Sequence, residues 1–331
     1  MSEWRDDPAW PDVDVVMPIR NEAAHLEIAV AAVRAQSYPG TTRIIMAVGP
    51  SGDATAEIAE ALCTAVPELL VVDNPSGEIP SALNHAIRAG TSPVIVRVDG
   101  HSQLPDGYIE HAVGTLRRSG AANVGGLQVP APTTLFTAAV AAATTSLLGT
   151  GGASYRTGGT AGPVDTVYLG VYDRTSIEAV GLYDEHLLRN EDYELNIRLR
   201  KAGLDVVLDP VLAVGYTPRG SWRSLARQYY EYGVWKSVVL RMHPDSLRPR
   251  QLIAPLGVLS VVLALVAAAR WQRALVIPIG YVGAIAATGS GRPAHRVRTV
   301  AVTVVIHTMW VAGLAAGALT HRGETAQPTI R

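Results

Sequence analysis

Residues 252–269 read LIAPLGVLSVVLALVAAA and carry no charge. A helix that crosses a bilayer needs about 20 predominantly apolar residues, so this run limits what the C-terminal part of the chain can become. Residues 274–289 are apolar again, interrupted by Pro278, and 300–319 form a third run whose only ionisable residue is His307. The first and third are long enough to span; the second is short and suits a re-entrant or tilted segment. Core helices of a soluble domain usually keep a polar face. These runs lack one, so a membrane region of two to three helices is expected at 252–320. Arginines bracket the runs, with Arg241, Arg248 and Arg250 before the first and Arg292, Arg296 and Arg298 before the third. Three spans that start inside the cell keep both clusters cytoplasmic, as the positive-inside rule prefers, although Arg270 and Arg273 then fall outside.

The segment Met1 to Asp12 is polar and acidic. It has no apolar stretch of the kind a secretory signal needs, so the N-terminal domain is expected to face the cytoplasm, as part of a multi-pass protein of the cell membrane. The expected organisation is a tail at 1–11, a domain at 12–240, a basic linker at 241–251, the membrane region at 252–320 and a tail at 321–331. A net charge of −1 shows no electrostatic footprint for nucleic acid. The single cysteine, Cys63, lies in the apolar pattern Ile58-Ala59-Leu62-Cys63-Val66 and reads as a buried core thiol.

Within 12–240 strands and helices alternate. Residues 13–17 predict a strand ending at Pro18, and Leu26, Ala29, Val30 and Val33 follow a helical period. Strands are predicted at 44–48, 69–72 and 94–98. Helices are predicted from Ala54, capped by Asp53, to about Val66, and from Pro80 to Ala89. This alternation predicts an α/β fold with a mostly parallel sheet covered by helices. Beyond Gly126 the rhythm changes to an Ala-rich helix at 136–148, a flexible stretch at 149–152, a strand at 166–171 and a helix at 191–202 ended by Gly203. No glycine-rich dinucleotide fingerprint or phosphate-loop motif occurs, which disfavours an oxidoreductase on a Rossmann-like sheet.

Open sheets of this kind bind ligands beyond the carboxyl ends of their strands. That rule selects Pro18 to Glu22, Gly49 to Asp53 and Asp99 to Ser102. Asp99, with His101 two residues on and only Gly100 between, can hold a divalent cation, and the histidine adds tolerance for manganese. The alternative is a strand-end aspartate capping the helix entry at Pro105-Asp106. Asn190-Glu191-Asp192 opens a helix, where carboxylates interact favourably with the helix dipole. The same place suits a general base, and because Glu191 and Asp192 point in different directions, one of them takes that task.

These pieces together resemble family-2 glycosyltransferases of the GT-A fold, most closely the membrane-bound branch typified by succinoglycan-type glucosyltransferases. The matching segments are Met17-Pro18-Ile19-Arg20-Asn21-Glu22, Ser51-Gly52-Asp53-Ala54-Thr55, Val98-Asp99-Gly100-His101-Ser102 and Glu191-Asp192-Tyr193-Glu194-Leu195, with Arg227 to Gly233 fitting as well. The resemblance covers about residues 12–240 and implies a nucleotide-sugar donor held by Pro18, Asn21, Glu22, Asp53 and Asp99. It implies Mn2+ or Mg2+ on Asp99 and His101, and Asp192 as base with Glu191 beside it. The family's paired aspartates after the second strand are Val48 and Gly49 here, so base recognition is left to Glu22, Asp53 and backbone groups. His101 stands where an aspartate is usual.

The implied reaction is an inverting transfer of a hexose, UDP-hexose favoured, to a lipid-linked or polysaccharide acceptor at the membrane. Transfer onto polyprenyl phosphate is the close alternative, and a nucleotide-binding scaffold of a polysaccharide assembly complex is the alternative of another class. Gln228, Tyr229, Tyr230 and Trp235 are either acceptor residues or an interfacial belt of aromatic and basic side chains.

Overall fold

The computed structural model describes residues 2–288 and 293–320. In chain order the elements begin with β1 (Val13–Ile19), α1 (Leu26–Arg34), β2 (Thr42–Val48), α2 (Thr55–Ala65), β3 (Leu69–Asp73) and α3 (Ile79–Ala89). Next come β4 (Val94–Arg97), α4 (Tyr108–Ser119), β5 (Asn123–Pro130), α5 (Leu135–Thr144), α6 (Leu147–Thr150) and α7 (Ser154–Thr157). Then follow β6 (Gly162–Pro163), β7 (Tyr168–Asp173), α8 (Arg174–Ala179), α9 (Glu191–Lys201), β8 (Val206–Tyr216) and α10 (Trp222–Met242). The chain closes with α11 (Ile253–Ala268), α12 (Val276–Thr288) and α13 (Pro293–Thr320). The described residues divide into two compact units whose border is not a single cut: one holds the chain up to Val129 and Gly158–Gly215, the other Pro130–Thr157 and the described residues from Tyr216 to Thr320.

The first unit carries an eight-stranded sheet in the order β3-β2-β1-β4-β7-β5-β8-β6. The four strands β1 to β4 pair in parallel, with a helix between each one and the next in sequence. Beyond them β7 lies antiparallel to both β4 and β5, and β6 antiparallel to β8. The sheet is therefore mixed rather than mostly parallel. The correction has a local cause. β5 contains Gly125 and Gly126, and β8 contains Asp209-Pro210, residues that depress strand propensity. The glycines are there for close backbone approach: a Cβ on Gly125 would stand 2.6 Å from Tyr168 O, and one on Gly126 would collide with Leu212 O.

β1 runs past Pro18, where the sequence predicted its end. Proline removes a ladder donor. The Ile19 carbonyl accepts from Gly49 N on the β2 side, so Pro18 faces the β4 side, where pairing has already stopped at Val16↔Arg97. The missing N–H costs nothing there. The strand predicted at 166–171 lies at Tyr168–Asp173, and its pairing with β5 shifts register between Val124 and Gly126. The predicted 136–148 helix breaks after Thr144: Thr144 and Thr145 hydroxyls donate back to Ala141 O, and Ser146 caps the short α6. Cys63 is partly rather than fully buried, its Sγ 3.5 Å from Leu69 O.

The N-terminal tail is tied to the first unit. Trp4 Nε1 donates to Asp173 at 2.9 Å, Arg5 donates to Ala121 O at 2.7 Å, and Trp10 packs edge-on against Tyr38.

In the second unit α5, α10 and α13 share an apolar cluster of Ala139, Val140, Ala143, Leu225, Tyr229, Val302 and Ile306. Gly313 and Gly317 are one turn apart on α13. A Cβ on Gly313 would collide with Tyr230 O, and one on Gly317 with Ser237 Oγ of α10. Small residues four apart let two helix backbones touch. Two helices, Pro249–Ala268 and His295–Thr320, are long and apolar enough to cross a membrane, whereas Gln272–Ala287 is shorter. On α11 the leucines 256, 259, 263 and 265 are all more than half exposed. Arg292 of the second basic cluster and the 321–331 tail lie outside the described residues.

Candidate active site

Two interior strands end side by side at the site. β1 delivers Pro18 and the loop to Glu22, and β4 delivers Arg97 and the loop to Ser102. Hydrogen bonds lace the first loop to the turn before α2. Asn21 N donates to Ser51 Oγ (3.1 Å), Gly52 N to Asn21 Oδ1 (2.8 Å), and Glu22 N to Thr55 Oγ1 (2.8 Å). Asn21 adopts φ +53°, a left-handed turn that asparagine tolerates better than most residues. Asp53 sits one residue before the N-cap. Its Oδ1 accepts from Thr55 N and Oγ1 and its Oδ2 from Ala23 N, so the carboxylate joins the two loops. The Thr55 hydroxyl bond, first among these contacts, holds its pKa below the ordinary value.

Arg97 organises the acids. It is 6% exposed at the end of β4. Its Nε donates to Asp99 Oδ1 at 3.1 Å, and one terminal nitrogen reaches Glu191 Oε1 at 3.4 Å and Asp192 Oδ1 at 2.5 Å. One guanidinium thus gathers both acidic clusters singled out from the sequence. Asn190, at φ +65°, turns the chain into α9 so that Glu191 and Asp192 meet the sheet edge. Burial raises the Glu191 carboxyl to about 7, Asp192 pushes the same way, and Arg97 opposes both. Asp192 is also raised, by burial first, with Arg97 pulling down and Asp99 pushing up. Tyr183 stands beside Asp192, and its hydroxyl donates to Tyr172 at 3.0 Å.

The sequence reading passed over Arg97. A charged residue closing the apolar run Val94-Ile95-Val96 was its signal, since buried arginines are almost always paired. Tyr168 was passed over as well. It stands near Asp99, is raised in pKa chiefly by burial, and precedes Leu169, whose φ of +47° is strained for a branched side chain.

Asp99 and His101 do not turn toward one another. Asp99 faces Arg97, while His101 Nδ1 lies 2.8 Å from Glu22 Oε1. A carboxylate on Nδ1 fixes the tautomer that leaves the lone pair on Nε2, the arrangement usual behind metal-binding histidines. Among the described residues no group of three or more His, Cys, Asp or Glu encloses a metal position. The donor set of one carboxylate and one imidazole fits a cation that completes its shell with waters and substrate phosphates, and not a closed structural site.

The other residues read from the sequence belong to α10 in the second unit. Gln228 Nε2 donates to Tyr232 OH at 3.2 Å, Tyr229 is buried in the helical cluster, Tyr230 is 40% exposed and Trp235 is partly buried.

The model of the family described as Glycosyl transferase family 2 matches residues 14–180, which hold the β1 and β4 loops. The succinoglycan biosynthesis protein ExoA of Rhizobium meliloti (strain 1021) is 32% identical over 309 residues, covering 90% of this chain and 92% of its own. A dolichyl N-acetyl-alpha-D-glucosaminyl phosphate 3-beta-D-2,3-diacetamido-2,3-dideoxy-beta-D-glucuronosyltransferase of Methanococcus voltae is 22% identical over 238 residues, covering 69% of this chain and 74% of its own. Among solved structures, the mannosyltransferase PcManGT from Pyrobaculum calidifontis, in complex with GDP-Man and Mn2+, superposes with a TM-score of 0.62 at 18% identity. It covers 96% of this chain and 89% of its own, which shows a shared GT-A fold. With the family model spanning both strand-end loops and a relative 32% identical along 90% of its length, the chain is a family 2 glycosyltransferase.

Proposed function

We propose that the chain transfers a hexose from a nucleotide sugar, UDP-hexose favoured, to a lipid-linked or polysaccharide acceptor at the membrane, with inversion. The observation that carries this reading is the gathering of Asp99, Glu191 and Asp192 around Arg97 at the ligand edge of the sheet. In it Asp192 is the base. It takes the proton of the acceptor hydroxyl as that oxygen bonds to the anomeric carbon, and the bond to the diphosphate breaks with its electron pair on the departing nucleoside diphosphate. Arg97 keeps Asp192 ionised until an acceptor arrives, and Glu191, buried and titrating near 7, positions its neighbour. Pro18, Asn21, Glu22 and Asp53 form the rim that receives the nucleoside, with Asn21 and Asp53 acting chiefly by holding the two loops together. Asp99 and His101 would hold Mn2+ or Mg2+, which when bound offsets the charge growing on the diphosphate.

Residues 12–240 supply the chemistry in this reading, and 252–320 anchor the chain as a multi-pass protein with its catalytic face to the cytoplasm. Two apolar helices support the anchor. A lipid-linked acceptor is favoured by the name of the Methanococcus relative, which acts on a sugar carried by dolichyl phosphate. The test is a donor screen on the full chain in detergent, following nucleoside diphosphate release with and without Mn2+ or Mg2+, and radiolabelled transfer to each acceptor class. Asp192→Asn is expected to lower turnover by about 10²- to 10⁴-fold with nucleotide binding kept. Unchanged turnover in that variant sinks the base assignment, and a one-sugar lipid product labile to acid favours polyprenyl phosphate as acceptor.

A further inference from the structure

Arg156, on α7 in the second unit, has no counter-charge among the described residues, unlike Arg97 of the first unit's acidic site. Its Nε donates to Tyr155 OH at 3.0 Å, and its guanidinium lies 5.2 Å from the Tyr155 ring centroid. Its remaining electrostatic neighbours are the phenols of Tyr216, Tyr229 and Tyr232. No carboxylate is among them. Phenols stay neutral at ordinary pH, so these tyrosines do not balance the charge. Arg156 is partly buried, and a guanidinium partly withdrawn from water without a counter-ion carries a desolvation cost.

The wider unit does not supply one. Its described residues include twelve arginines and lysines but two acids, Glu231 and Asp245. Glu231 is engaged by Arg227 at 2.8 Å. Tyr155 OH accepts from Arg156 Nε, so its own proton turns to another acceptor. Tyr232 OH accepts from Gln228 Nε2, and Tyr216 OH lies 3.3 Å from Thr144 Oγ1, whose own proton goes to Ala141 O. Tyr229 and Tyr232 meet edge to face at 5.7 Å, which holds both rings on one face of α10.

We propose that Arg156 and the Tyr155 hydroxyl, beside Tyr216, Tyr229 and Tyr232, form a binding site for the phosphate or diphosphate of a membrane lipid that carries the acceptor. The fork of a guanidinium matches two oxygens of a phosphate, and the Tyr155 O–H donates to another. The chemistry excludes a neutral sugar as the main occupant, since that would leave the charge unbalanced. The site rests on the lipid-linked acceptor of the proposed function and names the part of that lipid which is recognised.

The test uses the full chain in detergent micelles, with farnesyl phosphate and farnesyl diphosphate as probes against farnesol, inorganic pyrophosphate and phosphatidylglycerol vesicles. UDP binding serves as the control for the donor site. Wild type is expected to bind the farnesyl phosphates and not farnesol. Arg156→Gln is expected to weaken them about tenfold or more, Arg156→Lys less, and Tyr155→Phe less again, with UDP affinity unchanged in all three. Farnesyl phosphate affinity equal to wild type in Arg156→Gln overturns the proposal. So does a loss confined to pyrophosphate, which assigns a soluble phosphate, or to phosphatidylglycerol, which assigns a bulk headgroup. If Arg156→Gln does not fold by circular dichroism, Arg156→Lys and Tyr155→Phe decide the matter through a raised KM for the lipid acceptor at unchanged kcat. Sugar transfer by wild type to phosphate-free polysaccharide alone would overturn the acceptor reading itself. Lipid transfer that survives intact in all three variants overturns only this site.

Discussion

Arg97 holds three carboxylates from two distant segments, so its removal leaves like charges facing one another in a buried place. Breaking a buried pair costs about 3–5 kcal/mol, because the remaining partner loses its compensation. Arg97→Met is therefore expected to lower the unfolding midpoint strongly and abolish transfer, while Arg97→Lys keeps the charge, loses the fork and recovers part of both. Thermal unfolding and nucleoside diphosphate release measure the two effects. Glu191 gives a sharper signature. Burial, with Asp192, raises its pKa from 4.5 to about 7, so the folded state binds a proton that the unfolded state has lost across that interval. Its contribution to stability is full below about 4.5 and falls as pH rises through about 7. Glu191→Gln cannot titrate. Relative to this variant, wild type should lose stability between pH 4.5 and 8, and parallel melting curves in that range would refute the assignment. Asp99 and Glu191-Asp192 were visible in the sequence because each lies in a local motif. Arg97 was not, because two of its three partners lie 94 and 95 residues further along.

Gly313 sets two general effects against each other on α13. In an exposed helix interior, replacing glycine by alanine gains about 1 kcal/mol of helix propensity. Here a Cβ would run into Tyr230 O of α10. The same position therefore decides whether propensity or packing governs this helix. Gly313→Ala is expected to destabilise the chain, and Gly313→Leu more so, read as loss of the monodisperse peak in detergent and a lower unfolding midpoint. Stabilisation by the alanine variant would mean that α10 and α13 do not pack as described. Periodicity placed β1 to β4, α1, α2, α3 and α9 close to where they lie, since their apolar spacing is local. It missed β5 and β8, whose Gly125, Gly126 and Pro210 read as breakers. β5 lies between β7 and β8, and β8 between β5 and β6, neighbours that are not visible in a window of the sequence.

The apolar helices bear on how the whole chain behaves. The leucines of α11 are more than half exposed, an expensive arrangement in water and an ordinary one in lipid. Wild type is expected to stay in the membrane pellet through alkaline carbonate extraction; release into the supernatant would argue against spanning helices. A chain stopped after Arg250 loses α13, which shares the Val302 and Ile306 cluster with α5 and α10. That truncation is expected to aggregate rather than yield a soluble catalytic domain, because it uncovers Ala139, Val140 and Leu225. Recovery of a folded, active 1–250 fragment would show the cluster to be dispensable.

The apolar runs, the helix–strand alternation and the acidic motifs all rest on spacing within a few residues. Composition and period therefore suffice to reveal an α/β sheet covered by helices, an apolar C-terminal region and the two acid clusters. The mixed character of the sheet, the pairing of His101 with Glu22 and the phenols around Arg156 were decided only by the fold. Each depends on which distant side chain shares a desolvated place with a charge. At such places the balance between burial and pairing sets protonation and orientation, and that balance exists only once the chain has closed on itself.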